Sequence, residues 1–370
     1  MPFTLPVYVQ PDFTTPVLKD APLTTFRPVE KAGVAPDNYH ATAIYPEYYH
    51  IQPGQWELPH RSRMDCVVVR QPDGELVVRE FRNLRLGDQV ACGRRENGED
   101  GIYVHTEPFG NTVADKEKFA FRTRMSRETS FSIDYDELYE LLEFERDEGF
   151  ICWVLGPAVV FDQDSRQAMA ALVEAGYVHG LLAGNALATH DLEGAFYSTA
   201  LGQELYTKRS AALGHYHHLD ALNRIRAMGS MEQAIRSGQI QDGVMKAVIE
   251  HNIPYVLAGS IRDDGPMPEV YSNAYDAQDA MRAVVTKATT VITMATQLHS
   301  IAVGNMTPSY TVTDAGAVRP VYFYNVDMSE FVVNKLANRG SLSARSILTN
   351  VQDFVVTTER GLRSRGGTDN

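Results

Sequence analysis

The rhythm of apolar and polar positions changes about a third of the way along the chain. Up to about residue 120 the apolar runs are short and β-branched, broken by Pro, Gly and Tyr, which is the pattern of strands and turns. In MDCVVVRQPDGELVVREF a Pro-Asp-Gly turn separates two strand-like runs and predicts a hairpin, and LRLGDQVACG predicts a further strand entry. YDELYELLEFERDEG carries apolar residues at helical spacing behind an aspartate placed to cap it, which predicts a linking helix. From Gly149 onward an apolar run, a glycine-bearing turn and an amphipathic stretch alternate several times. FICWVLGPAVVF reads as a buried strand and SRQAMAALVEAGY as a helix ending at Gly176. VHGLLAGNALATHDLEGAF reads as a strand running into a loop and helix, while IPYVLAGSIRDDG, TTVITMATQLHS and PVYFYNVD supply three further strands.

The fold class expected is therefore α/β: a smaller β-rich domain over residues 1–125, a linking helix at 126–148, a Rossmann-like parallel-sheet domain over 149–360 and a frayed tail at 361–370. A length of 370 residues accommodates two cores. No apolar stretch approaches the roughly 20 residues that span a bilayer, and the N-terminus lacks the basic start and apolar run of a secretory signal. Three cysteines, Cys66, Cys92 and Cys152, form no CxxC pair, so neither a disulfide framework nor a cysteine metal site is expected, and a reducing cytoplasm fits. A net charge of −13 disfavours a phosphate backbone as partner. The expected partner is a small molecule, with no membrane or nucleic acid, in a homo-oligomer (dimer or tetramer).

Ligands of open parallel sheets bind beyond the carboxyl ends of the strands. Four turns stand there: LGPA (155–158), LAGNALATHD (182–191), LAGSIRDDGP (257–266) and TQLHSIAVGN (296–305). Each puts small residues after a strand, where peptide N–H groups can approach a pyrophosphate or a nicotinamide; each is equally readable as a tight connection that needs glycine. No GxGxxG, GxSxG or P-loop occurs. Asp327 ends the strand VYFYNVD and suits adenosine ribose hydroxyls, favouring NAD over NADP, or else caps the residues that follow. His299 lies after a strand near Ser300 and Asn305, where a substrate or nicotinamide is reached. The alternative is a helix-start histidine. Arg262, Asp263 and Asp264 can bind an amino acid's charged ends or manage a proton, with an internal ion pair as competitor. For His215, His217 and His218 a polar loop or helix start is preferred over a metal site. Cys66, in an apolar run, reads as a buried structural thiol.

Read in order, several stretches resemble the LOR/SDH conserved-region family, which includes archaeal-type ornithine cyclodeaminases and the C-terminal part of cyanobacterial arginine dihydrolase/ornithine cyclodeaminase fusions. They include GVAPDNYHAT (33–42), MDCVVV (64–69), GPAVV (156–160), LLAGNALATHDLE (181–193) and GHYHHLDALNRIR (214–226). VLAGSIRDDGPMPEV (256–270), AQDAMR (277–282), LHSIAVGNM (298–306) and NRGS (338–341) continue the series. The resemblance covers most of 33–355. It implies a β-rich domain followed by a Rossmann-like domain similar to that of deoxyhypusine synthase, with tightly bound NAD. By motif position the implied NAD contacts are Asn185, Ala186, Asp264, Thr296, Gln297, Leu298, His299, Asp327, Asn350 and Val351.

The implied reaction converts ornithine to proline and ammonia. NAD takes a hydride from the α-carbon, the δ-amine attacks the imine, ammonia leaves and the hydride returns. Asp263, Asp264, His299 and His190 are the candidates for proton transfer and for holding a cationic amine. Arg262, Asn185 and Asn305 are the candidates for orienting substrate. Two departures stand out. The connection between Asn305 and Asp327 is about ten residues longer than the family's, which is expected to reshape the active-site mouth or a subunit contact. Asn350 replaces an acidic residue, which is expected to alter cofactor contacts. Arg122, Arg124 and Arg127 are candidates for recognising a more acidic substrate. The other readings are a related NAD-dependent dehydrogenase, lyase or cyclase acting on another amino acid, for example a basic or guanidino one, in a specialised pathway, and a non-catalytic NAD-binding regulatory protein.

Overall fold

The computed structural model describes residues 3–109, 132–263, 265–329 and 341–366, with side chains from 135 onward in the second stretch. Arg122, Arg124, Arg127 and Asp264 lie outside the described residues. The N-terminal part comprises α1 (Pro16–Lys19), β1 (Thr25–Pro28), β2 (Glu47–Gln52), β3 (Gln55–Glu57), β4 (Arg61–Ser62), β5 (Val67–Arg70), β6 (Leu76–Arg79), β7 (Gln89–Cys92) and β8 (Ile102–Val104). Antiparallel pairing gives two sheets, β1-β7-β5-β6 and β3-β2-β8. β5 and β6 form the hairpin predicted from Pro-Asp-Gly, and Gly74 takes the positive φ (+97°) that its turn requires. Val67 and Val69 pack with Val29, Leu84 and Val90, while Val68 joins Tyr49, Leu76 and Ile102. The unbroken VVV run is thus explained, because β5 is covered on both faces.

The rest of the chain runs α2 (Ser132–Glu148), β9 (Ile151–Leu155), α3 (Gln163–Glu174), β10 (Gly180–Gly184), α4 (Asn185–Tyr197), the short pair β11 (Thr199–Ala200) and β12 (Gln203–Glu204), α5 (His217–Met228), α6 (Met231–Arg236) and α7 (Val244–Glu250). It continues with β13 (Tyr255–Ala258), α8 (Ala274–Val285), β14 (Thr290–Met294), α9 (Gln297–Met306), β15 (Tyr310–Val312), β16 (Val318–Pro320), β17 (Tyr322–Asp327), β18 (Ser343–Leu348) and α10 (Val351–Gly366). One sheet of six parallel strands has the order β13-β10-β9-β14-β17-β18. Counted in chain order this is 3-2-1-4-5-6, the order of dinucleotide-binding doubly wound sheets, whose switch point lies between β9 and β14. Alternate strand residues feed two cores. Trp153, Leu181, Leu257 and Ile292 pack on one face, and Cys152, Val154, Leu182 and Val291 pack on the other with Met281 and Val285 of α8 and Val303 and Met306 of α9.

Several local expectations shift. The run FICWVLGPAVVF is a strand only to Leu155, because Pro157 opens a 3-10 turn over Pro157–Val160. α4 follows β10 with no intervening loop, and α9 starts at Gln297 where a longer turn was expected. α2 begins at Ser132, so the aspartate expected ahead of it, Asp134, lies inside the helix. β18 was not predicted, and residues 361–366, expected to fray, continue α10.

The long connection after Asn305 forms the β15–β16 hairpin, and β15 also pairs with β4 of the N-terminal part, Tyr310 opposite Ser62. It lies where α9 ends and β17 begins, at the amino edge of the parallel sheet. Reshaping of the active-site mouth is therefore corrected: the added residues sit at the opposite end from the strand termini that would form that mouth. Arg319 of β16 is paired with the fully buried Glu145 of α2, whose other oxygen accepts from the Thr289 hydroxyl.

Candidate functional site

At the switch point β9 and β14 diverge, and the chain beyond each is tightly constrained. Gly156 donates its N–H to the Met294 carbonyl at 2.8 Å, and a Cβ at Gly156 would overlap the Ala295 carbonyl. Ala295 is held at φ +51°, an uncommon conformation for a residue with a Cβ. Of the helices that follow strands of this sheet, α3, α8 and α10 have their first N–H groups capped by the side chains of Asp162, Asn273 and Asn350. α4 and α9 are different: neither Gly184 nor Thr296 supplies a side-chain cap. Two helix N-termini at the carboxyl edge therefore present peptide N–H groups with no side-chain cap among the described residues, and positive dipole ends, a ready site for an anion.

Between these helices three side chains meet. His299, in the first turn of α9, lies across Gly184, where a Cβ would stand 2.9 Å from its Cε1. Burial pushes the His299 imidazole below its ordinary value, and the Asp263 carboxylate partly opposes this. Asp263 is fixed by the Ser260 N–H at 2.8 Å and faces Asn185 Nδ2 at 3.4 Å. Asn185, 8% exposed, accepts from the Met267 N–H at 3.1 Å and from the Thr189 hydroxyl at 3.3 Å. The loop after β13 is thereby tied to the start of α4. Ala186 follows Asn185 in that first turn, and Gln297 and Leu298 are exposed beside His299. Arg262 is exposed at the rim of the same loop. The Arg226 guanidinium lies over Gly265, where a Cβ would be 2.9 Å from Nη1. In the sequence Arg226 stands only inside the longer stretch GHYHHLDALNRIR, because its distance from Asp263 along the chain gives no sign that α5 returns beside the loop after β13.

Asp327 and Asn350 form a second cluster one strand further along. Asp327 ends β17, opposite Leu348 of β18, and its Oδ1 accepts from the Ser329 N–H at 2.8 Å, leaving Oδ2 with no bond among the described residues. The Asn350 Oδ1 accepts from Gln352 and Asp353, so this residue caps α10 ahead of Val351. Two candidates stand apart. Asn305 is in the last turn of α9, roughly 12 Å along the helix from its start, and is corrected as a substrate contact because the segment is helix and carries it to the amino edge. His190 Nδ1 donates to the Glu193 carboxylate at 2.8 Å, with its ring edge toward Phe161. Glu193 also takes the Thr199 hydroxyl and the Leu201 and Gly202 N–H groups, and although burial alone raises its pKa, these bonds hold it below the ordinary value. His217 joins the cluster through Thr199 at 2.8 Å.

A doubly wound sheet with an anion-receptive crevice and a His–Asp–Asn cluster at its carboxyl edge defines a dinucleotide-binding type of domain. Residues 137–358 match the family described as arginine dihydrolase ArgZ-like, C-terminal, Rossmann fold. The ornithine cyclodeaminase of Methanocaldococcus jannaschii is 37% identical over 332 residues, 89% of this chain and 75% of that protein. The bifunctional arginine dihydrolase/ornithine cyclodeaminase ArgZ of Synechocystis is 34% identical over 339 residues, 90% of this chain and 46% of that longer protein. Among solved structures, a conserved LOR/SDH protein from Methanococcus maripaludis superposes with a TM-score of 0.80 at 32% identity, covering 93% of this chain and 99% of that one. AgrE in ternary complex with ornithine and NAD+ superposes with a TM-score of 0.58 at 32% identity, covering 94% of this chain and 47% of that one. The chain belongs to the ArgZ-like C-terminal Rossmann-fold family, alongside the archaeal ornithine cyclodeaminases.

Proposed function

We propose that this protein is an NAD-dependent ornithine cyclodeaminase that converts ornithine to proline and ammonia and recycles its NAD. The observation that carries the reading is the convergence of Asn185, Asp263 and His299 on the carboxyl edge, between two uncapped helix N-termini. The archaeal relatives' name and the ornithine and NAD+ held by AgrE supply the substrate and cofactor. The residues fit NAD. The open N–H groups of α4 and α9, over Asn185–Ala186 and Thr296–His299, receive its pyrophosphate, Asp327 accepts from its ribose hydroxyls, and Asn350 and Val351 border the same strand end. NAD, when bound, accepts a hydride from the substrate α-carbon and later returns it.

The chain's own part is binding and proton handling. A neutral His299, its pKa depressed by burial, is suited to take a proton from a cationic substrate amine at neutral pH. Asp263, with Asp264 next in sequence, holds the remaining ammonium, and Asn185 keeps that carboxylate aimed. Arg226 and Arg262, on the two sides of the loop, hold the substrate carboxylate. His190 acts through Glu193, keeping α4 registered against residues 199–202. We place the enzyme in the cytoplasm as a homo-oligomer. The three cysteines are free thiols, no helix among the described residues is long and apolar enough to cross a membrane, and Leu201, Tyr206, Leu213, Tyr216 and Leu219 form an exposed apolar stretch suited to a second copy. Incubation with ornithine and catalytic NAD should yield proline and ammonia in equal amounts without accumulating NADH. Inert ornithine, or NADH formed in step with product, overturns the reading.

A further inference from the structure

Far from that crevice, a cavity of about 310 Å³ opens at the seam between the N-terminal part and the parallel-sheet domain. It is walled by residues of β4 and β6 on one side, and by Arg282 and Thr286, at the end of α8, on the other. The wall from β6 is aliphatic, formed by Leu76, Val77 and Val78. The remaining lining is charged, with the guanidiniums of Arg61, Arg63 and Arg282 and the carboxylates of Glu75 and Glu80. Arg63, 8% exposed, and Arg282 both pair with Glu80; Arg282 also pairs with Asp279, which binds Arg82 at 2.6 Å. Within the lining itself three guanidiniums, those of Arg61, Arg63 and Arg282, stand against two carboxylates, those of Glu75 and Glu80. Ser62, which also lines the cavity, is 2% exposed and its hydroxyl has no hydrogen-bond partner among the described residues. Arg61 stands exposed, making one long bond of 3.5 Å to the Thr311 hydroxyl. Burial lowers the pKa of both Arg63 and Arg282, so each gains from a further anion.

We propose that this cavity is a second ligand site, which binds a small aliphatic carboxylate with its head on the Arg63 and Arg282 guanidiniums and its hydrocarbon body along Leu76–Val78. Planar guanidiniums match a carboxylate in geometry as well as charge, and the aliphatic wall gives the remaining atoms an apolar surface. The size suits an unbranched chain of amino-acid length rather than a dinucleotide. Because its walls come from both parts of the chain, an occupant bridges them and resists their separation. Simple acids and α-amino acids carry the same head group, and the experiment separates them.

Isothermal titration of the full-length protein with valerate, L-norvaline and n-pentylamine tests the site without relying on turnover. Valerate should bind and pentylamine should not; L-norvaline binding as tightly as valerate assigns the site to amino acids, and weaker binding assigns it to simple acids. Val77→Trp, which fills the cavity from its apolar wall, should weaken the acids by about tenfold or more, and the exposed Arg61→Glu should weaken them without any change to the core. Neither acid binding at ~10 mM, pentylamine matching valerate, or affinities unchanged in both variants would overturn the proposal. None of these outcomes bears on the reaction at the carboxyl edge, since neither variant touches it.

Discussion

The two edges of the six-stranded sheet are built to opposite specifications. At the amino edge the groups that precede the strands are satisfied by side chains. The Thr289 hydroxyl accepts the Phe150 N–H at 2.8 Å, His179 Nδ1 accepts the Ile151 N–H at 2.9 Å, and Glu145 joins Thr289 to Arg319. At the carboxyl edge the helices after β10 and β14 begin uncapped, Ala295 sits in a strained conformation, and a neutral histidine lies against a glycine. The same strands therefore carry stability at one end and unmet bonding capacity at the other. This division is physical: a peptide N–H left without a protein partner keeps its bonding for a ligand at a cost of about 1 kcal/mol per missing cap.

If the division holds, substitutions at the two edges should separate stability from turnover. The largest effect is expected at the amino edge, where Arg319→Ala leaves the Glu145 carboxylate buried without its cation and should cost about 3–5 kcal/mol, read as a lower urea midpoint. A loss below about 1 kcal/mol would mean that the pair is not a stabilising element of that edge. At the carboxyl edge His299→Ala should lower kcat by on the order of 10²–10⁴ while leaving the urea midpoint near wild type; normal turnover would remove His299 from proton transfer. The smallest effect is the most diagnostic. His299 acts as a base only above its pKa, which burial depresses and Asp263 raises, so Asp263→Asn should depress it further and move the acid limb of the kcat profile to lower pH. A limb that stays in place, or moves upward, would show that Asp263 does not act on His299.

How much of this was legible depended on whether a segment's neighbours were local. The hairpin around Gly74 and the buried strands β9, β10 and β14 read directly, since a VVV or ICWVL run has few other fates. β18 did not, because SARSIL is a half-buried edge strand with a mixed polar pattern, and it is a strand only by virtue of β17 beside it. Asn185, Asp263 and His299 could be singled out as candidates because each follows a strand. Asn305 misled for the same reason, since Gly304 looked like a turn although Ser300, Val303, Gly304 and Met306 are all buried in a helix. Arg226 and the seam arginines were illegible, because their partners lie far away in sequence. Asp327 and Asn350 both make local bonds, to the Ser329 and Gln352 N–H groups, which is the capping alternative that the sequence offered for Asp327.

The pairing of β4 with β15 also dictates an order of events during synthesis. Ser309 bonds to the Ser62 carbonyl across 247 residues, so when residues 61 and 62 leave the ribosome their strand partner has not yet been translated. The N-terminal part must wait with that edge unpaired until four of the six parallel strands, β9, β10, β13 and β14, have been made, and its last closure is among the costliest loop closures the chain has to make. Completion of the small part therefore follows the first four strands of the large one, and a chain stopped before residue 310 would carry an open strand that only a longer chain can close.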